Sequence, residues 1–107
     1  MKNQYTRFLN LMQAMKEATP SWPVLDAAED RLLQLLAAHW HGEESVTVMD
    51  ILNFKSGLSE STIHRRISSL QEKGVITLVT SSVDARYKVV EPTQLTTDYF
   101  AKLDTLL

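Results

Sequence analysis

The hydrophobic period of the chain changes at Gly74, and this change limits the folds open to it. Before the glycine, apolar residues recur four and three positions apart, as on one face of an α-helix: Ile63, Ile67 and Leu70. After it, residues 75–80 are all β-branched or aliphatic, which is typical of a strand. A second strand-like segment, 86–91, follows a short loop. The sequence therefore predicts a helix that leads directly into a two-stranded hairpin.

Helical patterns lie on both sides of this unit. We predict helices over residues 3–18, 25–40 and 60–73, a short helix opened by Thr47, and a last helix from Thr93 to about Leu106. Two pairs have the spacing of a capping box: Asp26 with Glu29, and Thr47 with Asp50. Glu29 is also expected on the polar side of its helix, and Gly42 is expected in the left-handed conformation after that helix ends.

Length and composition point to one small globular domain over residues 1–107. The sequence has no cysteine, which excludes a disulfide scaffold, an iron–sulfur cluster and a thiolate zinc site. No segment approaches the ~20 apolar residues of a membrane span, and polar residues interrupt the N-terminal helix, unlike a signal peptide. We therefore expect a cytoplasmic protein.

Charge is unevenly distributed along the chain. Residues 1–53 contain four Lys or Arg and seven Asp or Glu, a net charge of −3. Residues 61–88 contain five basic and two acidic residues, a net charge of +3. A basic block in an acidic protein is typical of a surface for a polyanion, and it also fits an ordinary solvated face.

The middle of the chain has the layout of a helix-turn-helix, in which one helix braces a second that enters the DNA major groove. Residues 55–59 form the short linker and contain a glycine, Gly57. Ser59 is placed to cap the second helix. Opposite the apolar face of that helix, the predicted outward residues are Ser61, Arg65, Ser68, Ser69 and Glu72, flanked by Thr62 and His64, with Arg66 nearer the core. Hydroxyl groups bond phosphates or base edges, and arginine binds guanine bidentately.

Two stretches carry a resemblance to a known family. Residues 58–76 (LSESTIHRRISSLQEKGVI) resemble the recognition helix and first wing strand of winged helix-turn-helix regulators. Residues 84–93 (DARYKVVEPT) are similar to the wing of the MarR family, with an Asp-x-Arg at the tip, an apolar strand and a Thr that opens a helix. The resemblance implies a winged helix-turn-helix core over 25–92, with additional N- and C-terminal helices at 3–18 and 93–107.

The resemblance also implies roles for individual residues. Arg86 corresponds to the wing arginine that reaches the minor groove, and Asp84 to a residue that orients the wing. Ser61, Thr62 and Arg65 would face the major groove. The full set of predicted DNA-contacting residues is Ser59, Ser61, Thr62, His64, Arg65, Arg66, Ser68, Ser69, Asp84, Arg86 and Lys88. The implied function is a sequence-specific transcriptional regulator that binds double-stranded DNA.

The same fold also serves other functions. A winged helix can serve as a protein-interaction module, or bind DNA in replication or plasmid maintenance. The first of these would favour exposed aromatic residues or leucine on the recognition helix, which has none at its outward positions. A catalytic role is not supported, since there is no nucleophile elbow and no glycine-rich phosphate loop. His39, His41, Glu43 and Glu44 match no standard metal-ligand spacing, so we expect no metal and no cofactor.

The terminal helices predict a homodimer. On the first helix the main apolar stripe is Tyr5, Phe8, Met12 and Met15, and Leu9 and Leu11 lie off it. On the last helix, Phe100 and Leu107 lie off the main stripe in the same way. This is more apolar surface than one small domain covers, so we expect it to be buried against a second copy of the chain.

Overall fold

The structure is a computed structural model that describes residues 2–106, with side chains from Asn3 onward. In chain order the elements are α1 (Lys2–Ala18), α2 (Ala27–His41), α3 (Val48–Leu52), α4 (Glu60–Glu72), β1 (Ile76–Thr80), β2 (Lys88–Pro92) and α5 (Gln94–Leu106). The predicted α+β class, the order of its elements and the hairpin after the fourth helix are confirmed. None of the helices within 2–106 is both long and apolar enough to span a bilayer.

The described residues divide into two compact units. One comprises residues 24–93, with α2, α3, α4 and the hairpin; the other comprises the residues up to Pro23 together with those from Gln94 onward, with α1 and α5. That the whole of 1–107 behaves as a single domain stays a prediction.

The core of residues 24–93 is built from one apolar face of each helix and the inner face of the hairpin. The predicted stripe of α4, Ile63, Ile67 and Leu70, is buried as expected. The residues that it shares the core with are Leu32, Leu33, Leu36, Val46, Ile51, Val75, Ile76 and Val90. Helix α2 packs against α4, and α3 packs against both α4 and β2. Burial of these side chains is the main contribution to the stability of this unit.

Local end signals fix where the helices begin. Both capping boxes form: Asp26 Oδ1 accepts Glu29 N–H at 2.8 Å, and Thr47 Oγ1 accepts Asp50 N–H at 3.1 Å. The expectation for Gly42 is wrong, since its φ is −78°. The chain turns one residue later, where Glu43 takes the left-handed conformation at φ 59° and its N–H donates to Trp40 O at 2.9 Å.

The hairpin pairs antiparallel from Ile76↔Pro92 to Thr80↔Lys88. Its second strand starts two residues later than predicted, because Tyr87 N–H donates to Asp84 O and holds residues 84–87 in a turn. An unpredicted third segment also joins the sheet: Val90 N–H donates to Val46 O at 2.7 Å, and Thr47 bridges Val89. The wing, defined here as β1, β2 and the loop 81–87, is thereby anchored to the start of α3.

In the unit formed by the two termini, α1 contacts α5, and the Trp22 ring stacks on Tyr99 with centroids 3.9 Å apart. Of the main apolar stripe of α1, only Met15 is buried. The exposed apolar side chains of α1 form a patch at helical spacing: Tyr5, Phe8, Leu9 and Met12. Leu11 and Phe100 are half-buried, and Leu107 lies outside the described residues.

Candidate nucleic-acid interface

The turn before α4 is set by two residues with defined local roles. Gly57 has a φ of +80°, a left-handed conformation that glycine adopts without steric cost, so the predicted need for glycine in the linker is confirmed. Ser59 Oγ accepts Thr62 N–H at 3.2 Å and caps α4, as predicted. Lys55, which the sequence analysis did not single out, is exposed in this linker.

Hydroxyl groups cluster at the first turn of α4. Ser59 Oγ donates to Thr62 Oγ1 at 2.8 Å and lies 3.3 Å from Ser61 Oγ. Ser59 and Ser61 are exposed, and Thr62 is half-buried. Hydroxyl groups and free N–H groups at a helix N-terminus suit an anionic oxygen such as that of a phosphate.

The exposed side of α4 is polar along its whole length. It consists of Glu60, Ser61, His64, Arg65, Ser68, Gln71 and Glu72. His64 Nε2 lies 3.9 Å from Glu60 Oε1, one helical turn back. Arg65 is exposed and has no ion-pair partner among residues 3–106, so its guanidinium is available to a ligand. A helix that is apolar behind and polar in front has the form needed for insertion into a groove.

Ser69 does not lie on this exposed side, and its predicted outward orientation is wrong. It is half-buried, and its hydroxyl donates to Glu29 Oε2 at 2.8 Å and lies 3.1 Å from Arg66 O. The physical reason is Glu29, which was expected on the polar side of α2 but is 1% exposed. A buried carboxylate requires hydrogen-bond donors, and α4 supplies them.

Arg66 is also directed into the protein. Its side chain is one-third exposed, and its Nε lies 3.1 Å from Asp26 Oδ2. The contact is an ion pair without hydrogen-bond geometry, because Nε has no hydrogen-bond partner among the described residues. Contact of Arg66 with DNA stays a prediction, but the ion pair with Asp26 already neutralises part of its charge.

Pairing with α2 reduces the positive charge that the sequence count gave to residues 61–88. Arg66 pairs with Asp26, and Lys73 Nζ lies 2.7 Å from Glu29 Oε1. Because both carboxylates come from outside the segment, including them lowers its net charge from +3 to +1. The candidate surface therefore has a few exposed cations, Arg65, Arg86 and Lys88, rather than a broad basic face.

The tip of the wing holds one of these cations in a fixed position. Asp84 Oδ1 accepts the backbone N–H of Arg86 at 3.0 Å, and Asp84 Oδ2 accepts its Nη2 at 2.7 Å. Hydrogen bonds from the Arg86 guanidinium and backbone lower the pKa of Asp84, and the Asp84 carboxylate raises the pKa of Arg86. The Arg86 side chain remains 82% exposed, so it is charged, oriented and open to a ligand.

Two further wing residues complete the surface. Lys88 Nζ donates to Thr80 Oγ1 across the hairpin at 2.7 Å, and the side chain is exposed. Val83 is 94% exposed at the tip. Val83 was not among the predicted contact residues; an apolar residue within a polar loop was the one sequence signal for it.

A metal centre is not formed at the His39–Glu44 segment or elsewhere in the described part of the chain, where no three His, Asp or Glu side chains converge. Instead His39 Nδ1 lies 2.7 Å from Glu44 Oε2, and its ring stacks on Phe54 with centroids 4.7 Å apart. These contacts order the loop after α2.

Helix, turn, capped helix and clamped wing together define a winged helix-turn-helix. Residues 55–77, which cover the linker, α4 and the start of β1, match the family described as winged helix-turn-helix DNA-binding. No curated protein matches the sequence.

Solved structures extend the likeness to nearly the whole chain. MepR of S. aureus, bound to ethidium bromide, has a TM-score of 0.65 at 16% identity over 99% of this chain and 74% of its own. The M. tuberculosis regulator MosR in complex with DNA has a TM-score of 0.55 at 21% identity, with coverages of 98% and 70%. An E. coli MarR variant complexed with operator DNA has a TM-score of 0.57 at 13% identity, with coverages of 98% and 71%. The MarR-like winged-helix fold inferred from the wing pattern is confirmed.

Proposed function

We propose that this chain is a sequence-specific transcriptional regulator that binds double-stranded DNA as a homodimer and acts in the cytoplasm. The observation that carries the proposal is the pairing of two cationic elements on one winged helix. Arg65 projects from the polar side of α4 without an ion-pair partner among residues 3–106, and Arg86 is held exposed at the wing tip by Asp84. The first suits the edges of bases in the major groove, and the second suits the minor groove or its phosphates.

The composition of the exposed side of α4 favours nucleic acid over a protein partner. Its side chains are hydroxyl, amide, imidazole, guanidinium and carboxylate groups, and it has no aromatic residue or leucine. Protein interfaces are enriched in aromatic side chains at their centres. Two of the structural neighbours, MosR and the MarR variant, are complexes with DNA, which supports the same partner for this chain.

We propose that a second copy of the chain buries the apolar patch of α1, which consists of Tyr5, Phe8, Leu9 and Met12. These side chains are between 46% and 66% exposed, and they lie at the i, i+3, i+4, i+7 spacing of one helix face. A contiguous apolar face of this kind is costly in water and is typical of an interface. Two copies would present two recognition helices, so the DNA site would be a near-palindrome with half-sites about one helical turn apart.

The direct test is selection from a pool of random duplex DNA, followed by sequencing of the retained fraction. We expect enrichment of one motif with two-fold symmetry. If DNA is retained but no motif is enriched, the chain does not bind DNA sequence-specifically. If no DNA is retained, it does not bind duplex DNA.

The salt dependence of the binding constant gives a quantitative test of the same proposal. If the dimer makes about six phosphate contacts, log K falls against log salt with a slope near −5. The measurement is a fluorescence titration of the selected duplex at several salt concentrations. A binding constant that stays flat from low to moderate salt would count strongly against phosphate contacts, and with them against this mode of binding.

A further inference from the structure

Glu29 is a buried carboxylate that joins α2 to the recognition helix. The residue is 1% exposed, yet three donors surround its carboxylate. Oε1 accepts Asp26 N–H at 2.8 Å and Lys73 Nζ at 2.7 Å, and Oε2 accepts Ser69 Oγ at 2.8 Å. Ser69 and Lys73 lie 40 and 44 residues further along the chain, so this is a tertiary contact and not a local turn.

The contact belongs to a larger polar cluster, defined as Asp26, Glu29, Arg66, Ser69 and Lys73. On α2 it uses the two capping-box residues, which also fix the first turn of that helix. Its other residues are Arg66 and Ser69 on α4 and Lys73 at the C-cap of that helix, and they lie at i, i+3 and i+7. Lys73 Nζ also donates to Val24 O at 2.9 Å, which ties the chain before α2 to the same point.

The cluster restrains α4 in a way that its apolar stripe does not. Apolar side chains tolerate small rotations and slides, because their attraction has little directional dependence. An atom about 6 Å from a helix axis moves about 2 Å when the helix rotates by about 20°. Such a shift breaks a 2.8 Å hydrogen bond and leaves Glu29 buried with unsatisfied oxygens, which is strongly unfavourable.

We propose that Glu29 is a positioning residue for DNA recognition: through Ser69 and Lys73 it fixes the rotation of α4 about its axis, and hence the direction in which Ser61, Arg65 and Ser68 point. The inference rests on the proposed DNA-binding function and deepens it. Readout of base edges needs side chains held to a fraction of an ångström, whereas binding to phosphates through charge tolerates a rotated helix. Glu29 therefore acts on specificity more than on general affinity for DNA.

The test compares affinities for a selected duplex and a scrambled duplex. In Glu29→Gln the amide replaces the carboxylate and no longer matches the donors around it. If α4 then holds its DNA-competent orientation about one-tenth of the time, apparent affinity for the selected site falls about tenfold. Affinity for the scrambled duplex stays within about twofold, so the ratio of the two falls. Ser69→Ala, which removes one hydroxyl and adds no charge, shifts the ratio in the same direction by less.

A matched control separates positioning from stability alone. Leu36→Val lies on α2 two turns beyond Glu29 and reduces packing without touching the polar cluster. Circular dichroism gives the melting temperature of each variant, and affinities are measured well below it. A purely structural role predicts lower melting temperatures in both variants with an unchanged ratio of affinities, and that outcome would overturn the proposal. If Glu29→Gln does not fold, Ser69→Ala decides by the same criterion.

A second, independent test removes the charge of Lys73 alone and then the charges of Lys73 and Glu29 together. Lys73→Met removes the ammonium and leaves Glu29 charged and poorly paired, so we expect the affinity ratio to fall. Adding Glu29→Gln to Lys73→Met removes the unpaired charge and restores part of the ratio. Absence of this rescue would contradict a role that runs through the Glu29–Lys73 pair. If the wild-type chain binds neither duplex, the proposed function fails; if it discriminates between them and every variant does so equally, only the positioning role fails.

Discussion

The carboxylate of Asp84 clamps Arg86 at two levels, accepting its backbone N–H at 3.0 Å and its guanidinium Nη2 at 2.7 Å. The first contact shapes the turn at the tip of the wing, and the second orients the side chain. Because Nε and Nη2 each commit a hydrogen to Asp84, three of the five guanidinium donors remain for a ligand. The residue is thus oriented before it meets DNA, which lowers the entropy lost on binding.

Arg86→Ala should weaken binding to nearly all DNA sequences. A cation in the minor groove or at its phosphates contributes mostly through charge, so the selected and scrambled duplexes should lose affinity alike. The magnitude of the salt slope should fall by about one unit per half-site. Titration of both duplexes at several salt concentrations measures each quantity.

The control for Arg86 is Arg31→Ala, which removes the same charge from an exposed position on α2. It should leave the slope close to that of the wild type. If Arg86→Ala binds both duplexes as tightly as the wild type, the wing does not contact DNA in this chain.

Arg65→Ala should relax base preference as well as affinity. Arg65 is exposed on α4 and free of ion pairs among residues 3–106, so it is available for a guanine edge. Loss of a bidentate contact of this kind costs about 1–3 kcal/mol at the matched base pair. Repeating the random-pool selection with the variant identifies the position that loses its preference. An unchanged motif would assign Arg65 to phosphate contacts or to none.

Phe8→Asp should weaken both self-association and DNA binding. Phe8 is 56% exposed within the apolar patch of α1, so the substitution adds a charge to the proposed interface without disturbing a buried site. Asn10→Asp adds the same charge to an exposed polar position of the same helix and should change neither property. Sedimentation velocity measures the association state. A wild-type chain that is monomeric at high concentration and still binds its selected site would disprove the dimer.

Features encoded locally were predictable from the sequence. Ser59, Asp26 and Thr47 cap helices through contacts three residues away, and Gly57 supplies a left-handed turn at one position. The wing pattern was informative for the same reason, because Asp84 and Arg86 are two residues apart. Whether these residues contact DNA depends on a partner and stays a prediction.

Features that depend on distant residues were not predictable. When each helix is considered alone, its pattern predicts that Glu29 is a polar surface residue and that the Ser69 hydroxyl points outward. Only the packing of α2 on α4 brings them within 2.8 Å, where it buries Glu29 and half-buries Ser69. The same packing pairs Arg66 with Asp26, which is why counting charges along residues 61–88 overestimated the basic surface. Periodicity reports which residues share a face of one helix, but it does not report which face of the neighbouring helix they meet.

The buried position of Glu29 predicts a specific loss of stability in acid. Burial raises the pKa of Glu29, but hydrogen bonds from Asp26 N–H, Lys73 and Ser69, together with the Lys73 charge, lower it more, and the net pKa lies below the ordinary value of 4.5. A carboxyl group whose pKa is lower in the folded than in the unfolded state stabilises the fold at pH values above its unfolded-state pKa. This contribution is lost as the pH falls through the folded-state pKa. The difference in melting temperature between wild type and Glu29→Gln should therefore be largest near neutral pH and shrink below about pH 4.5.

The control is Glu72→Gln, which replaces an exposed carboxylate on α4 and should give a small difference in melting temperature at every pH. A difference for Glu29→Gln that stays constant or grows between pH 7 and pH 3 would show that the charged carboxylate does not stabilise the contact between α2 and α4.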